Sequence, residues 1–152
     1  MKIFLSFFVC FFFQFNVASS LIQVDITRGN LDPLPIAVSP LHVDANSQSL
    51  KDLKVKELGE KISEIIENNF RGTGLFNPLK KDAFVQNADI AHLKPRFEDW
   101  RLIKAQALVT GKILVKDDKL KIEFRLWDLT ASKEMIALAF TTTPSNWRRV
   151  AH

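Results

Sequence analysis

The chain of 152 residues holds one cysteine, Cys10, and that residue sits inside an apolar leader. A disulfide framework of the kind that staples small secreted domains is therefore excluded. Cys10 also lacks the small residues of a lipoprotein cleavage site before it, which excludes a lipid anchor there. Excess charge of one sign is slight. The formal net charge is +4, with acidic and basic residues interspersed, too little for an electrostatic grip on nucleic acid. Beyond the leader there is no second long apolar run, no repeat and no low-complexity tract. No serine lies in a Gly-x-Ser-x-Gly elbow, so nothing marks a nucleophile.

The leader itself is the first thing present. Lys2 is the only charge before Asp25, and Ile3 to Phe13 is almost wholly apolar and rich in phenylalanine. Gln14 and Asn16 follow, then Ala18, Ser19 and Ser20. A basic end, an apolar stretch and small residues at the cut make residues 1–20 a secretory signal peptide. The run is shorter than the roughly 20 residues that span a bilayer. Ala18 and Ser20 place the cut between Ser20 and Leu21, with cleavage after Ser19 as the alternative. The product, Leu21 to His152, is long enough to bury one core and needs no insertion into a membrane.

Leu21 to Ile26 alternates, with Ile22, Val24 and Ile26 on one face and Gln23 and Asp25 on the other, which predicts a short strand. Gly29, Asn30, Pro33 and Pro35 make a connector, and Ile36-Ala37-Val38 predicts a second strand. After a polar loop from Asp44 to Ser49, the stripe Val55, Leu58, Ile62, Ile65, Ile66 and Phe70 predicts an amphipathic helix ending near Phe70. Gly59 interrupts that stripe where another backbone can approach, and Gly72 and Gly74 stop the helix. Leu75 to Leu79 reads as a short extended piece, and Pro95 opens a second helix through Trp100. Ala105 to Val115, Leu120 to Trp127 and Met135 to Thr142, joined by turns at Asp117-Asp118 and Thr130 to Lys133, predict an antiparallel meander. Pro144 and Ser145 then open a last helix, with Ser145 as N-cap, too short by His152 to bury a useful face.

Few residues offer chemistry. His42 with Asp44, and Asp89 with His92, could be combined into a metal site of a secreted α/β hydrolase, but neither pair has an established ligand spacing. Arg71-Gly72-Thr73-Gly74 follows a helix instead of preceding one, so it is a helix stop and not a phosphate loop. Trp127, among Lys121 and Arg125 on the polar side of its strand, reads as a partner surface or as a side chain covered by the missing C-terminal part, in preference to a nucleic-acid platform. The leading strand beside a free terminus suits addition to a partner's sheet edge, or a plain edge position in its own sheet.

Several blocks, in their order and spacing behind a signal peptide, resemble the TolB amino-terminal domain family. They are Leu34-Pro35-Ile36-Ala37-Val38-Ser39-Pro40-Leu41, Arg71 to Leu79, Ala107 to Ile113, Phe124-Arg125-Leu126-Trp127-Asp128 and Trp147 to His152. The resemblance implies an α+β fold, a mixed sheet of about five strands with two to three helices packed on it. It implies a periplasmic, non-enzymatic part of the Tol-Pal system, which maintains outer-membrane integrity and constricts the envelope in cell division. No cofactor and no metal are implied. The stretch matching the family's contact with the C-terminal domain of TolA, an inner-membrane protein, is Leu21-Ile22-Gln23-Val24-Asp25-Ile26-Thr27-Arg28-Gly29-Asn30-Leu31-Asp32. In the family a β-propeller follows this domain and binds the peptidoglycan-associated lipoprotein. No propeller follows His152 here, so that binding is expected to be lost and the last helix to be truncated.

Overall fold

The computed structural model describes residues 32–44 and 55–152. The expected strand Leu21 to Ile26 and the loop after Asp44 lie outside the described residues. Within them the strands are β1 Leu34–Val38, β2 His42–Val43, β3 Phe76–Pro78, β4 Ala107–Lys116, β5 Lys119–Asp128 and β6 Lys133–Thr142. They form one six-stranded sheet in the order β3-β1-β4-β5-β6, with β2 pairing β4 off that path. β1 runs parallel to β3 and β4, β2 runs parallel to β4, and β4, β5 and β6 are antiparallel neighbours. The architecture is α+β with a mixed sheet and a C-terminal meander. β2 adds two residues that no periodicity could announce.

Local chemistry accounts for the pairing. Ile36, Ala37 and Val38 are buried on both faces, as an interior parallel strand requires. Pro78 is tolerated because β3 lies at the sheet's edge. Asp117 and Asp118 both have positive φ, 50° and 55°, the two-residue turn whose twist suits a hairpin. At the next turn Asp128 Oδ1 accepts the Ala131 N–H at 2.8 Å, and Ser132 takes φ 55°.

α1, Val55–Thr73, covers one face of the sheet. Leu58 and Ile62 are fully buried against Ile113, Leu120 and Ile122. Ile66 and Phe70 close over Ile36, Val38 and Val109. Each fully buried side chain contributes about 1.5–3 kcal/mol, whereas the exposed Lys61–Glu57 pair at 3.2 Å is worth only a few tenths of a kcal/mol. The helix runs through Gly72 and ends at Thr73, beyond the expected Phe70, and Gly74 at φ 69° turns the chain. Gly59 is the close approach: the Leu41 N–H donates to its carbonyl at 3.3 Å.

The opposite face carries α2, Ala88–Ala91, and α3, Phe97–Leu102. Ala91 and Trp100 pack with Ala37, Leu108, Trp127 and Leu129. The C-terminal segment corrects one expectation. Pro144–Val150 is a 3-10 helix, and it does bury a face. Trp147 and Ala151 join the core under α1, and Asn69 Nδ2 donates to the Ala151 carbonyl at 3.0 Å. One indole covers what several aliphatic side chains would, so helix length was the wrong measure. Ser145 does not cap it. Thr143 holds the cap position without a side-chain cap bond, and Ser145 Oγ lies 3.1 Å from Thr143 Oγ1. No described helix is long and apolar enough to cross a membrane.

Candidate partner-binding surface

Of the stretch assigned to partner binding, Leu21 to Leu31 lies outside the described residues, as do the cleavage residues Ser20 and Leu21. Asp32 is described and exposed, as is Pro33, and the first described strand begins at Leu34, whose N–H donates to the Leu75 carbonyl at 2.9 Å. β1 has a neighbour on each side, β3 and β4, so the first described strand is an interior one.

The four residues considered for a metal divide. His42, Asp89 and His92 come together, whereas Asp44 follows β2 with its N–H on the Ile113 carbonyl at 3.0 Å. His42 Nδ1 meets Asp89 Oδ1 at 2.7 Å. His92 Nδ1 lies 2.9 Å from the Ala88 carbonyl, which can only accept, so that nitrogen carries the proton. The two imidazoles stack with centroids 4.0 Å apart and planes 4° from parallel. Lone pairs lying in parallel planes do not converge on one ion at about 2.0–2.1 Å. Among the described residues no group of three or more metal-ligating side chains is arranged to hold a metal. The cluster instead fastens α2 to the strands.

It has a pH consequence. Burial lowers the His92 pKa from 6.5, helped by His42 and Lys112 and opposed by the Ala88 hydrogen bond and Asp89. The unfolded chain then binds more protons than the folded one below about pH 6.5, so stability falls as pH drops through that range. His92→Phe keeps a ring in the stack without the proton. Thermal melts between about pH 7 and pH 5 should show a shallower loss of Tm in this variant than in the wild type. Equal slopes would discard the assignment.

Trp127 is not a partner surface. The alternation put it on the correct face, but α3 covers that end of the face. It is 6% exposed, its Nε1–H donates to Thr110 Oγ1 at 2.9 Å, and Phe97 meets its ring edge-on at 5.9 Å. The polar part of that face lies further along β5. There Glu123 takes Lys121 at 2.8 Å and Lys112 at 3.4 Å, and the hydrogen bond from Lys121, then that from Lys112, holds its carboxyl below the usual range against burial.

The surface that sequence reasoning missed is β6. It pairs only with β5 among the described residues, and Met135, Ile136, Leu138 and Phe140 are 43–55% exposed. Its signal was legible: Met135 to Thr142 carries no charge, unusual for an outer strand.

The fold recurs in solved structures of other proteins. With the TolB crystal structure from Acinetobacter baumannii the TM-score is 0.60 at 18% identity, covering 79% of this chain and 26% of that one. The LpoB C-terminal domain from Escherichia coli gives 0.53 at 10% identity, covering 72% and 82%, a likeness of fold alone. In sequence, the Tol-Pal system protein TolB of Pelagibacter ubique is 66% identical over 137 residues, 89% of this chain but 31% of that relative. The TolB amino-terminal domain model matches residues 22–135. The chain belongs to the TolB amino-terminal domain family, a non-enzymatic, periplasmic family of the Tol-Pal system.

Proposed function

We propose that this chain is a periplasmic protein-interaction domain that contacts the C-terminal domain of a TolA-like inner-membrane protein through residues 21–32. Signal cleavage between Ser20 and Leu21 would leave Ile22, Val24 and Ile26 beside a free terminus, ready to supply apolar contacts while the backbone supplies ladder hydrogen bonds. Gly29, Pro33 and Pro35 would hinge the segment against the fold. The contact would serve outer-membrane integrity and constriction during division. The observation that carries this reading is the reach of the family match, which extends back to residue 22 and so takes in Ile22, Val24 and Ile26.

Deletion of Leu21 to Asp32 should abolish binding of the TolA C-terminal domain in a calorimetric titration and shift the thermal midpoint by only a few degrees. Retention of wild-type affinity by the deletion would sink the proposal. Nothing in the stacked histidine pair favours the hydrolase reading.

A further inference from the structure

α2 is tied to the sheet by few groups. Ala91 is its one buried residue, seated with Ala37 and Leu108 in the second core. The backbone N–H groups of Ile90, Ala91, His92 and Leu93 donate to Asn87, Ala88 or Ile90 carbonyls and so close on the same turn. Among the described residues its polar ties to the strands are the Asp89 bond to His42 at 2.7 Å and the stack of His92 on His42. So short a turn does not persist as a helix by itself, and whatever parts the two imidazoles loosens the segment. The other end of the same stretch is fastened differently. At the 3-10 turn Lys81–Ala83, Lys81 Nζ donates to Ser63 Oγ at 2.9 Å and to Glu60 Oε2 at 3.0 Å on α1, with Glu67 Oε1 at 3.5 Å.

We infer that residues 88–93 form a pH-sensitive latch, which acid releases from β2 and β4 while the Lys81 end of the stretch stays fastened. Geometry sets the asymmetry. A proton on His42 is answered by the Asp89 carboxylate. A further proton on His92 has no such partner among the described residues, because its bond is to the Ala88 carbonyl. With both rings charged, two imidazolium groups lie face to face at 4.0 Å, and like charges at that distance repel even in water. The charged groups around the rings do not relieve this. Lys112 stands opposite His42 across the β2–β4 ladder and adds to the repulsion. Glu123 and Arg125 line the same cavity as His92, but Glu123 is engaged by Lys121 and Lys112, and Arg125 by Glu134. Asp44 lies past the end of β2. Burial above all, then His42 and Lys112, therefore keep His92 neutral while the latch is closed, against the Ala88 bond and, least, Asp89. The opened segment takes up the proton more readily, so opening grows as pH falls below about 6.5. Glu67 runs the other way. Burial, helped by Glu64, raises its pKa from 4.5 against Lys81 and Arg71, so the folded chain is the stronger proton binder there and acid does not undo that end. Opening gives water access to Ala37 and Leu108 while α1 and the meander stay packed.

Hydrogen exchange between about pH 7 and pH 5, expressed as protection factors so that the intrinsic pH dependence is removed, reads the two ends separately. Protection of the Ile90, Ala91, His92 and Leu93 amides should fall by about fivefold or more, the least that two such charges impose in water. Protection should hold at Ala83 and Phe84, bonded to the Lys80 and Lys81 carbonyls, and at Leu129, bonded to the Gln106 carbonyl. His92→Phe keeps a ring without the proton and should abolish the fall. Asp89→Asn removes an exposed counter-charge and should enlarge it. Should His92→Phe fail to fold, the wild-type map and Asp89→Asn decide. Constant protection of the four amides in the wild type would overturn the latch. An equal loss at Ala83, Phe84 and Leu129 would overturn it by showing that the whole fold opens. An undiminished fall in His92→Phe, or a smaller one in Asp89→Asn, would overturn the assignment to the stacked rings.

Discussion

Replacing Gly59 by alanine is expected to destabilise the fold by about 2–4 kcal/mol, although alanine is the better helix former by about 1 kcal/mol. A Cβ built on Gly59 falls 2.1 Å from the Leu41 carbonyl oxygen and 3.1 Å from its carbon. Ordinary contact starts near 3.4 Å, so helix and chain must part by 1.3 Å. The obstacle is backbone, which cannot rotate aside as a side-chain end would. Moving α1 outward also stretches the 3.3 Å hydrogen bond from the Leu41 N–H to the Gly59 carbonyl and unseats Leu58 and Ile62, exposed by only 1% and 0%. The steric term therefore exceeds the propensity gain. Gly72→Ala is the control. It lies on the same helix, a Cβ there would meet nothing within 4 Å, and the variant should gain up to about 1 kcal/mol. Urea unfolding of both variants measures the contrast, and a Gly59→Ala midpoint at or above the wild-type value would refute the close-approach reading.

That glycine also marks how far the sequence could be read. A gap in the apolar stripe announced that something approaches α1 there. It could not announce Leu41, because the approaching backbone belongs to the link between β1 and β2, and β2 has only two residues. The meander was legible because alternation with period two and turn residues such as Asp117-Asp118 are local signals. Trp127 was misread for a reason of the same kind. Alternation assigns a side chain to a face, and only tertiary structure decides whether that face meets water. β6 escaped in the opposite sense: its apolar run predicted a strand, and nothing local says that α1 stops short of covering it. The partner-binding stretch drew on resemblance as well as pattern, since on pattern alone six alternating residues favour a plain edge strand over a partner's edge.

The segment from Lys80 to Lys94, which no periodicity organised, holds the polar anchor of the second core. Trp100→Ala is expected to cost about 3–5 kcal/mol, lowering Tm by on the order of 10 °C. Trp100 is 1% exposed, and Phe84 meets its ring edge-on at 5.0 Å. Its removal leaves a cavity under α3 that Ala37, Ala91 and Ala105 are too small to fill. The indole also donates its Nε1–H to Gln86 Oε1 at 2.8 Å, an oxygen that takes the Arg96 N–H at 2.9 Å as well. Gln86 is 3% exposed, so losing one of those donors is not repaid by water. Two variants separate the cavity from the hydrogen bond. Trp100→Phe keeps much of the volume and loses the donor, and should cost about 1–3 kcal/mol. Gln86→Leu removes the acceptor and leaves the indole and the Arg96 N–H unpaired, at a similar cost. The double variant Trp100→Phe with Gln86→Leu should then be less destabilised than the two single costs added together, by roughly 1 kcal/mol. Additive costs in denaturant titrations would mean that the bond contributes nothing and that packing alone holds α3 to the sheet.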